Sequence, residues 1–149
     1  MLLLGSIPMD FLTQSELAFV QKRWRLTAGV RNVLLILSSA MTPLSVQDIG
    51  KKLKAQDHPV DATTVYRILE RLKECRLIHT LREGRFVKCS DMSNAKAHHF
   101  LRCKKCSGVE EIFLDYKKSI ASQLASEKNF LLTDVDLEFW GVCQGCTKK

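Results

Sequence analysis

The sequence predicts an α+β fold in which an N-terminal winged helix-turn-helix domain precedes a small C-terminal α/β domain with a four-cysteine site. Three observations predict this division. Helix caps and apolar stripes extend to about residue 75, two short extended runs follow, and two Cys-x-x-Cys pairs lie beyond residue 100.

The composition excludes disordered and membrane-spanning chains. The 149 residues are 46% hydrophobic and 26% charged, with only 7 Gly and 3 Pro, which is typical of a folded protein. The longest apolar run, Val33–Leu37, is far shorter than the roughly 20 residues of a membrane-spanning helix. Met1–Leu4 lacks the basic lead-in and the length of a secretory signal. We therefore expect a cytoplasmic protein with reduced cysteines and no membrane partner.

The net charge of +7 lies mostly in the first part of the chain. Residues 1–97 hold 15 Lys+Arg and 9 Asp+Glu, whereas residues 98–149 hold 8 and 7. A basic first part beside a nearly neutral, cysteine-rich second part predicts a module that binds a polyanion joined to one that holds a metal.

The first two helices are predicted from their caps. The segment from Thr13 to Glu16 has the form of a capping box, which predicts a helix that continues to about Trp24. Thr27 caps a second helix that runs through Ser38, and Pro43 lies beyond its end. The apolar residues of this second helix fall at i, i+3, i+4 and i+7: Val30, Val33, Leu34 and Leu37.

Two further helices form the predicted helix-turn-helix. A capping box from Ser45 to Asp48 begins the third helix, and Asp61 caps the fourth, with a connector around His58 and Pro59. The inward residues of the third helix are Val46, Ile49 and Leu53. The apolar stripe of the fourth helix is Ala62, Val65, Leu69 and Leu72.

A hairpin and a linker complete the domain division. Leu77–Leu81 and Arg85–Cys89 flank Glu83-Gly84 and predict the two strands of a wing. Residues 90–97 are small and polar, so the predicted domains are 1–89 and 98–149 with a hinge at 90–97. The predicted elements of the second domain are strands at His99–Arg102 and Val109–Phe113, a helix at Asp115–Glu127 and a strand at Val135–Gly141.

The two Cys-x-x-Cys pairs predict a structural zinc site. Two residues between cysteines let both thiolates reach one ion, and two such turns complete the tetrahedral sulfur set that zinc prefers. Gly108 and Gly145 suit the bends of these turns. A redox dithiol and four unrelated core cysteines are the alternatives. The predicted zinc ligands are Cys103, Cys106, Cys143 and Cys146.

The sequence does not predict an enzyme. A deaminase-type zinc site needs His-x-Glu before the cysteines, and a zinc protease needs His-Glu-x-x-His. Neither pattern occurs, and no nucleophile elbow or phosphate-binding loop is found.

Three motifs together resemble those of the ferric uptake regulator superfamily, the bacterial metal-sensing repressors. They are Ala62–Arg67 on the fourth helix, the histidine run before Cys103, and Trp140-Gly141-x-Cys143-x-x-Cys146. The similarity extends from about Arg25 to Cys146. It implies a winged helix followed by an α/β dimerisation domain, and therefore a homodimer that binds double-stranded operator DNA.

The resemblance also implies which residues contact DNA. With the apolar stripe of the fourth helix inward, the residues left to face outward include Thr63, Thr64, Tyr66 and Arg67. The family's DNA-contacting Tyr and Arg match Tyr66 and Arg67, and a basic residue that the family directs into the minor groove matches Arg25.

A regulator of this kind also needs a sensor site, which we expect at the hinge. Ligands from both sides of residues 90–97 would fix the angle between the two domains when metal binds. Our preferred set is His79, Cys89, His98 and Glu111, with His99 as the alternative to His98. Cys89 favours zinc, because a thiolate with imidazoles and one carboxylate suits tetrahedral zinc better than octahedral ferrous iron. Zinc uptake regulators resemble this chain in carrying Cys at that strand position.

The sequence thus predicts a zinc-responsive transcriptional repressor, similar to the zinc uptake regulator branch, which controls zinc uptake genes. One alternative is an iron- or manganese-responsive repressor of the same superfamily. Another is a zinc-stabilised DNA-binding protein that senses no metal.

Overall fold

The computed structural model describes residues 10–91, 97–114, 117–133 and 137–148. The chain divides between Ser90 and Asp91 into two compact units. Residues 92–96, the greater part of the predicted hinge, lie outside the described residues. Within the described ranges, every helix is too short or too polar to cross a bilayer.

The described part of the first unit begins with four helices: α1 (Phe11–Gln21), α2 (Ala28–Ser39), α3 (Val46–Ala55) and α4 (Ala62–Glu74). The predicted starts of the last three are confirmed, since the side chains of Thr27, Ser45 and Asp61 each accept from a backbone N–H in the first turn. The capping box at Ser45 is complete. The Asp48 carboxylate accepts the Ser45 N–H at 2.9 Å, and the Asp48 N–H donates to Ser45 Oγ at 3.1 Å.

The predicted cap of the first helix is wrong. The carboxylate of Asp10 caps α1, because its Oδ1 accepts the N–H groups of Leu12 at 2.9 Å and Thr13 at 3.1 Å. Thr13 lies in the first turn, and its hydroxyl donates to Asp10 Oδ2 at 2.8 Å. A carboxylate that satisfies two unpaired amides outcompetes a single hydroxyl three residues later. The helix also ends at Gln21, short of Trp24.

The helices pack through the predicted stripes with one exception. The predicted core residues of α2 and α3 are at most 4% exposed: Val30, Val33, Leu34, Leu37, Val46, Ile49 and Leu53. On α4, Val65, Leu69 and Leu72 are buried as predicted. Ala62 is exposed and Ile68 is buried in its stead, because Ala62 is the first residue of α4 and lies one turn before the buried stripe.

The predicted wing is an antiparallel hairpin of β1 (Ile78–Leu81) and β2 (Arg85–Lys88). Three residues, Arg82–Gly84, connect the strands, and two of them, Glu83 (66°) and Gly84 (65°), have positive φ. Leu44 and Phe86 exchange backbone hydrogen bonds of 3.0 and 2.8 Å, which fixes the wing to the segment before α3.

The described residues of the second unit form a three-stranded sheet with helices. Its elements are β3 (Ala97–Cys103), β4 (Val109–Leu114), α5 (Lys117–Lys128), β5 (Glu138–Gly141) and α6 (Gln144–Thr147). The strand order is β4-β3-β5, with β3 antiparallel to β4 and parallel to β5. The predicted starts of the helix at Asp115 and of the last strand at Val135 lie outside the described residues. The single turn of α6 follows Cys143 and was not predicted.

Candidate metal centres and nucleic-acid interface

The parallel pairing of β3 with β5 brings the two cysteine pairs to one end of the sheet. Cys103, the last residue of β3, pairs with Gly141, the last residue of β5. The next amide, that of Lys104, donates to the carbonyl of Gly141 at 2.8 Å. Both cysteine turns therefore begin at the same level of the sheet.

The four predicted structural ligands meet there. The sulfur atoms of Cys103, Cys106, Cys143 and Cys146 all lie within 4.8 Å of one another, and those of Cys106 and Cys143 are 3.8 Å apart. Each pair closes a tight turn: the Ser107 amide donates to the Cys103 carbonyl at 3.1 Å, and the Cys146 amide donates to the Cys143 carbonyl at 2.9 Å. Four convergent thiols on two tight turns fit one tetrahedral zinc ion.

The two glycines near these turns differ in the space around them. A Cβ on Gly108 would lie 3.2 Å from the sulfur of Cys106 and would crowd that ligand. The left-handed residue of that turn is Ser107, with φ 59°. A Cβ on Gly145 would meet nothing within 4 Å, so the expectation that Gly145 shapes the second turn is wrong.

The thiols of the cluster differ in acidity. Backbone N–H groups of Cys106 and Cys143 donate to the Cys103 sulfur and lower the pKa of that thiol to about 6. Hydrogen bonding with the Cys143 and Cys106 side chains raises the pKa of Cys146 to about 12. Neighbouring thiolates repel one another, so the cluster keeps a proton at neutral pH unless a cation balances the charge.

A buried ion pair fastens β5 to β3 beside the cysteine cluster. The guanidinium of Arg102 donates to Glu138 Oε2 at 3.1 Å, and both side chains are 8% exposed. The same guanidinium lies 4.1 Å from the ring centroid of Trp140. Sequence reasoning missed this pair. The signal available was an arginine immediately before Cys103 on a strand and a glutamate on the polar side of the last predicted strand.

In the first unit, the wing brings His79 and Cys89 together. His79 lies on β1, and Cys89 follows β2, with its amide donating to the carbonyl of Leu77 at 2.8 Å. Since His79 pairs with Val87, the two side chains share one face of the hairpin. A ring nitrogen of His79 and the Cys89 sulfur lie within 4.8 Å of each other, and Cys89 is 3% exposed.

In the second unit, the sheet brings His98 and Glu111 together. Phe100 pairs with Glu111, so Glu111 lies on the same face as His98, diagonally across β3 and β4. His98 Nδ1 is 2.5 Å from Glu111 Oε1, and the two side chains are 14% and 5% exposed. The ring of Phe113 packs edge-on against that of His98, with centroids 4.9 Å apart. This packing fixes the orientation of the imidazole.

His99 lies on the other face of the sheet. It pairs with Ile112, and it is fully buried. Successive residues of a strand face opposite sides, so His99 and Glu111 do not share a face. Of the two alternatives, the geometry of the second unit therefore favours His98 as the partner of Glu111.

The fourth helix presents the predicted DNA-contacting side chains. Tyr66 is 51% exposed, and Thr63 and Arg67 are exposed, all in the first two turns of α4. The Thr64 hydroxyl donates to Asp61 Oδ2 at 2.6 Å, and Asp61 Oδ1 accepts the Thr64 N–H at 2.9 Å. Thr64 therefore stabilises the start of the helix that carries the other three.

Arg25 is exposed on the connector between α1 and α2. Arg31, on α2, donates to Glu16 Oε1 at 2.9 Å. Arg31 thus joins α2 to α1, whereas the Arg25 side chain extends from the connector into solvent.

Comparisons with known proteins agree with this fold. A model of the ferric uptake regulator family matches residues 21–140. The ferric uptake regulation protein of Bacillus subtilis (strain 168) is 29% identical over 120 residues, which cover 78% of this chain and 80% of the relative. The zinc uptake regulation protein of Escherichia coli (strain K12) is 27% identical over 142 residues, which cover 93% of this chain and 82% of the relative.

A solved structure of a zinc uptake regulator has a similar fold. A zinc uptake regulator complexed with zinc and DNA superimposes with a TM-score of 0.82 at 25% identity, covering 97% of each chain. The resemblance in fold and family that the motifs indicated is confirmed. The chain belongs to the ferric uptake regulator family and is a metal-responsive regulator, not an enzyme.

Proposed function

We propose that this chain is a zinc-responsive transcriptional repressor that binds operator DNA as a homodimer when its sensor site holds metal. The observation that carries the proposal is the pairing of a buried thiol with an imidazole in the wing, at His79 and Cys89. The matching imidazole–carboxylate pair, His98 and Glu111, supplies the remaining two donors.

The sensor ligands would come from both units. The wing offers one nitrogen and one sulfur, and the sheet offers one nitrogen and one oxygen, which together make a four-coordinate set suited to zinc. A shared ion would link the two units and restrain the angle between them. Such a link changes DNA affinity only if metal binds more tightly to the DNA-competent arrangement.

The cysteine cluster has a separate, structural role in this proposal. Its four sulfur ligands leave no open coordination position, so the zinc held there would stabilise the second unit and take no part in sensing. The proposed structural ligands are Cys103, Cys106, Cys143 and Cys146.

The first unit would bind DNA through α4 and the connector before α2. Exposed Arg67 can bond guanine with two hydrogen bonds in the major groove, and Tyr66 can contact a thymine methyl or a phosphate. Thr63 and the capped start of the helix at Thr64 lie at the end that enters the groove. Arg25 would reach the adjacent minor groove.

An apolar patch on the second unit supports the homodimer. Leu101, Phe139 and Val142 are 39%, 43% and 42% exposed and line one cleft of about 510 Å³ with Trp140. Exposed apolar side chains grouped at one cleft are typical of protein–protein interfaces. We propose that a second copy of the chain covers it.

The proposed setting is the cytoplasm, where DNA is accessible and thiol ligands stay reduced. The proposed targets are genes of zinc uptake. Their repression at high zinc follows from the direction of the metal response.

DNA binding at buffered free zinc tests this proposal. A fluorescent duplex, selected from random DNA by the zinc-loaded protein, is titrated with the wild type, with Cys89→Ser and with the control Cys75→Ser. We expect zinc to tighten binding by the wild type and by Cys75→Ser, and to leave Cys89→Ser in the weak state. Equal affinity with and without zinc would instead favour a constitutive DNA-binding protein.

The similarity to the Bacillus subtilis ferric uptake regulation protein favours an iron-responsive repressor as the second candidate. Manganese belongs to the same alternative, because both ions accept nitrogen and oxygen ligands. The same titration with buffered ferrous iron and manganese separates the candidates. The ion that drives binding at the lowest free concentration relative to its cellular level is the physiological one.

A further inference from the structure

The connector between α1 and α2 begins with a tightly fixed turn. The amides of Arg23 and Trp24 donate to the carbonyls of Val20 at 3.0 Å and Phe19 at 2.9 Å. Arg23 has φ 54°, the left-handed conformation that ends such helices. Helix ends of this kind commonly carry an apolar contact between the two residues that share this last hydrogen bond. Here the rings of Trp24 and Phe19 pack edge-to-face, with centroids 5.5 Å apart.

The Trp24 ring also contacts the last turn of α4. The guanidinium carbon of Arg71 lies 5.6 Å from the ring centroid, and Lys22 Nζ lies 5.8 Å from it. Lys22 in turn pairs with Glu74 at 3.4 Å. One half-buried indole thus joins the start of the connector to the helix that carries Tyr66 and Arg67.

The backbone of Arg25 is held on both sides. Trp24 precedes it directly, and Thr27, two residues after it, accepts the Val30 N–H at 3.4 Å as the cap of α2. The exposed Arg25 side chain therefore projects from a short segment whose ends are fixed to α4 and α2.

We propose that Trp24 is a positioning residue for DNA binding, which holds Arg25 at a set distance from Tyr66 and Arg67 so that both grooves are engaged together. This inference rests on the proposed DNA-binding function. Trp24 itself need not touch DNA. Its effect is transmitted through Arg25, so the two residues are energetically coupled.

A double-mutant cycle tests the coupling. Affinity for a duplex selected in vitro by the zinc-loaded wild type is measured for Trp24→Ala, Arg25→Ala and the double variant. We expect each single variant to lose roughly five- to tenfold in affinity, with the double variant no more than twofold weaker than Arg25→Ala. Losses that multiply, or no loss for Trp24→Ala, would overturn the inference.

Two controls separate positioning from general destabilisation. Trp24→Phe keeps a ring against Phe19 and should bind within about twofold of the wild type. Ile36→Ala opens a cavity in buried α2 away from the connector and should keep its affinity at a temperature at which it is fully folded. If Ile36→Ala lost as much DNA affinity as Trp24→Ala, the loss would reflect weakened packing in general. Trp24 would then be a packing residue and not a positioning residue.

Footprinting adds a readout that stability does not change. Hydroxyl-radical cleavage reports protection of the minor groove, and methylation of guanine N7 reports the major groove. Trp24→Ala should lose the minor-groove protection that Arg25→Ala loses and keep the protection of guanine N7. Loss of both together would overturn the inference, whereas failure of the wild type to select any duplex would overturn the proposed function itself.

Discussion

Glu111 Oε1 lies 2.5 Å from His98 Nδ1 across two antiparallel strands. The neighbouring Glu110 lies on the opposite face of the sheet, the face that also carries His99. Two adjacent glutamates thus face different surroundings. The Glu111 side chain is 5% exposed, whereas Glu110 is exposed. This difference makes the pair a matched test of the sensor site.

Glu111→Gln should abolish or strongly weaken the zinc response of DNA binding, because an amide replaces the anionic ligand at nearly the same volume. Loss of a hydrogen-bonded partner of a metal ligand commonly costs 10- to 100-fold in metal affinity, and loss of a ligand should cost at least as much. The zinc affinity of the variant is measured by competition with a chromogenic chelator. Glu110→Gln, with the same loss of charge one residue away, should bind zinc as the wild type does. Equal weakening of the two variants would refute the assignment.

Cys103→Ser should unfold the second unit. The structural zinc is expected to contribute of order 10 kcal/mol to folding, and three sulfur ligands hold it poorly. Zinc content and circular dichroism after mild chelation report the loss. Cys75→Ser is the control, since Cys75 is half-buried at the end of α4 and outside the cluster. A folded Cys103→Ser protein with full zinc content would contradict a structural role.

Arg67→Ala should weaken specific DNA binding by about 1 to 3 kcal/mol, the value of a two-hydrogen-bond contact to guanine. Binding to random duplex should change far less. Lys128→Ala removes the same charge from α5 in the other unit and controls for net charge. A similar loss on random DNA would show that Arg67 contacts phosphate and reads no base.

Arg76→Gly should stabilise the protein. Arg76 follows the end of α4 with φ 56°, and its amide donates to the carbonyl of Lys73 at 2.8 Å. Glycine adopts this conformation without the steric cost that other residues carry, so the free energy of unfolding should rise by about 0.5 to 1 kcal/mol. Gly84→Ala, at φ 65° in the wing turn, should lower it. Chemical denaturation measures both, and a fall in stability for Arg76→Gly would contradict this reasoning.

Local signals predicted most of the first unit. The capping box at Ser45 and the stripe on α2 depend only on residues within two turns, so sequence alone is sufficient to place them. Where two local signals competed, as at Asp10 and Thr13, sequence reasoning chose the weaker cap. The extent of the stripe on α4 was also misjudged, because the position at which a helix meets its neighbours is a tertiary property.

The sites depend on strand register, which sequence does not give. The Cys-x-x-Cys spacing predicted two turns, but their meeting follows from the pairing of Cys103 with Gly141. The choice between His98 and His99 likewise follows from the pairing of Phe100 with Glu111, since a shift of one residue would reverse it. The buried Arg102–Glu138 pair was missed for the same reason.

We propose that one metal ion shared by His79, Cys89, His98 and Glu111 is coupled to DNA binding. Thermodynamic linkage requires the coupling to be reciprocal. The most direct measurement is zinc affinity of the sensor site with and without saturating operator duplex, the structural site being filled in both cases. We predict that DNA tightens zinc binding by the same factor by which zinc tightens DNA binding. A zinc affinity that DNA leaves unchanged would contradict the account.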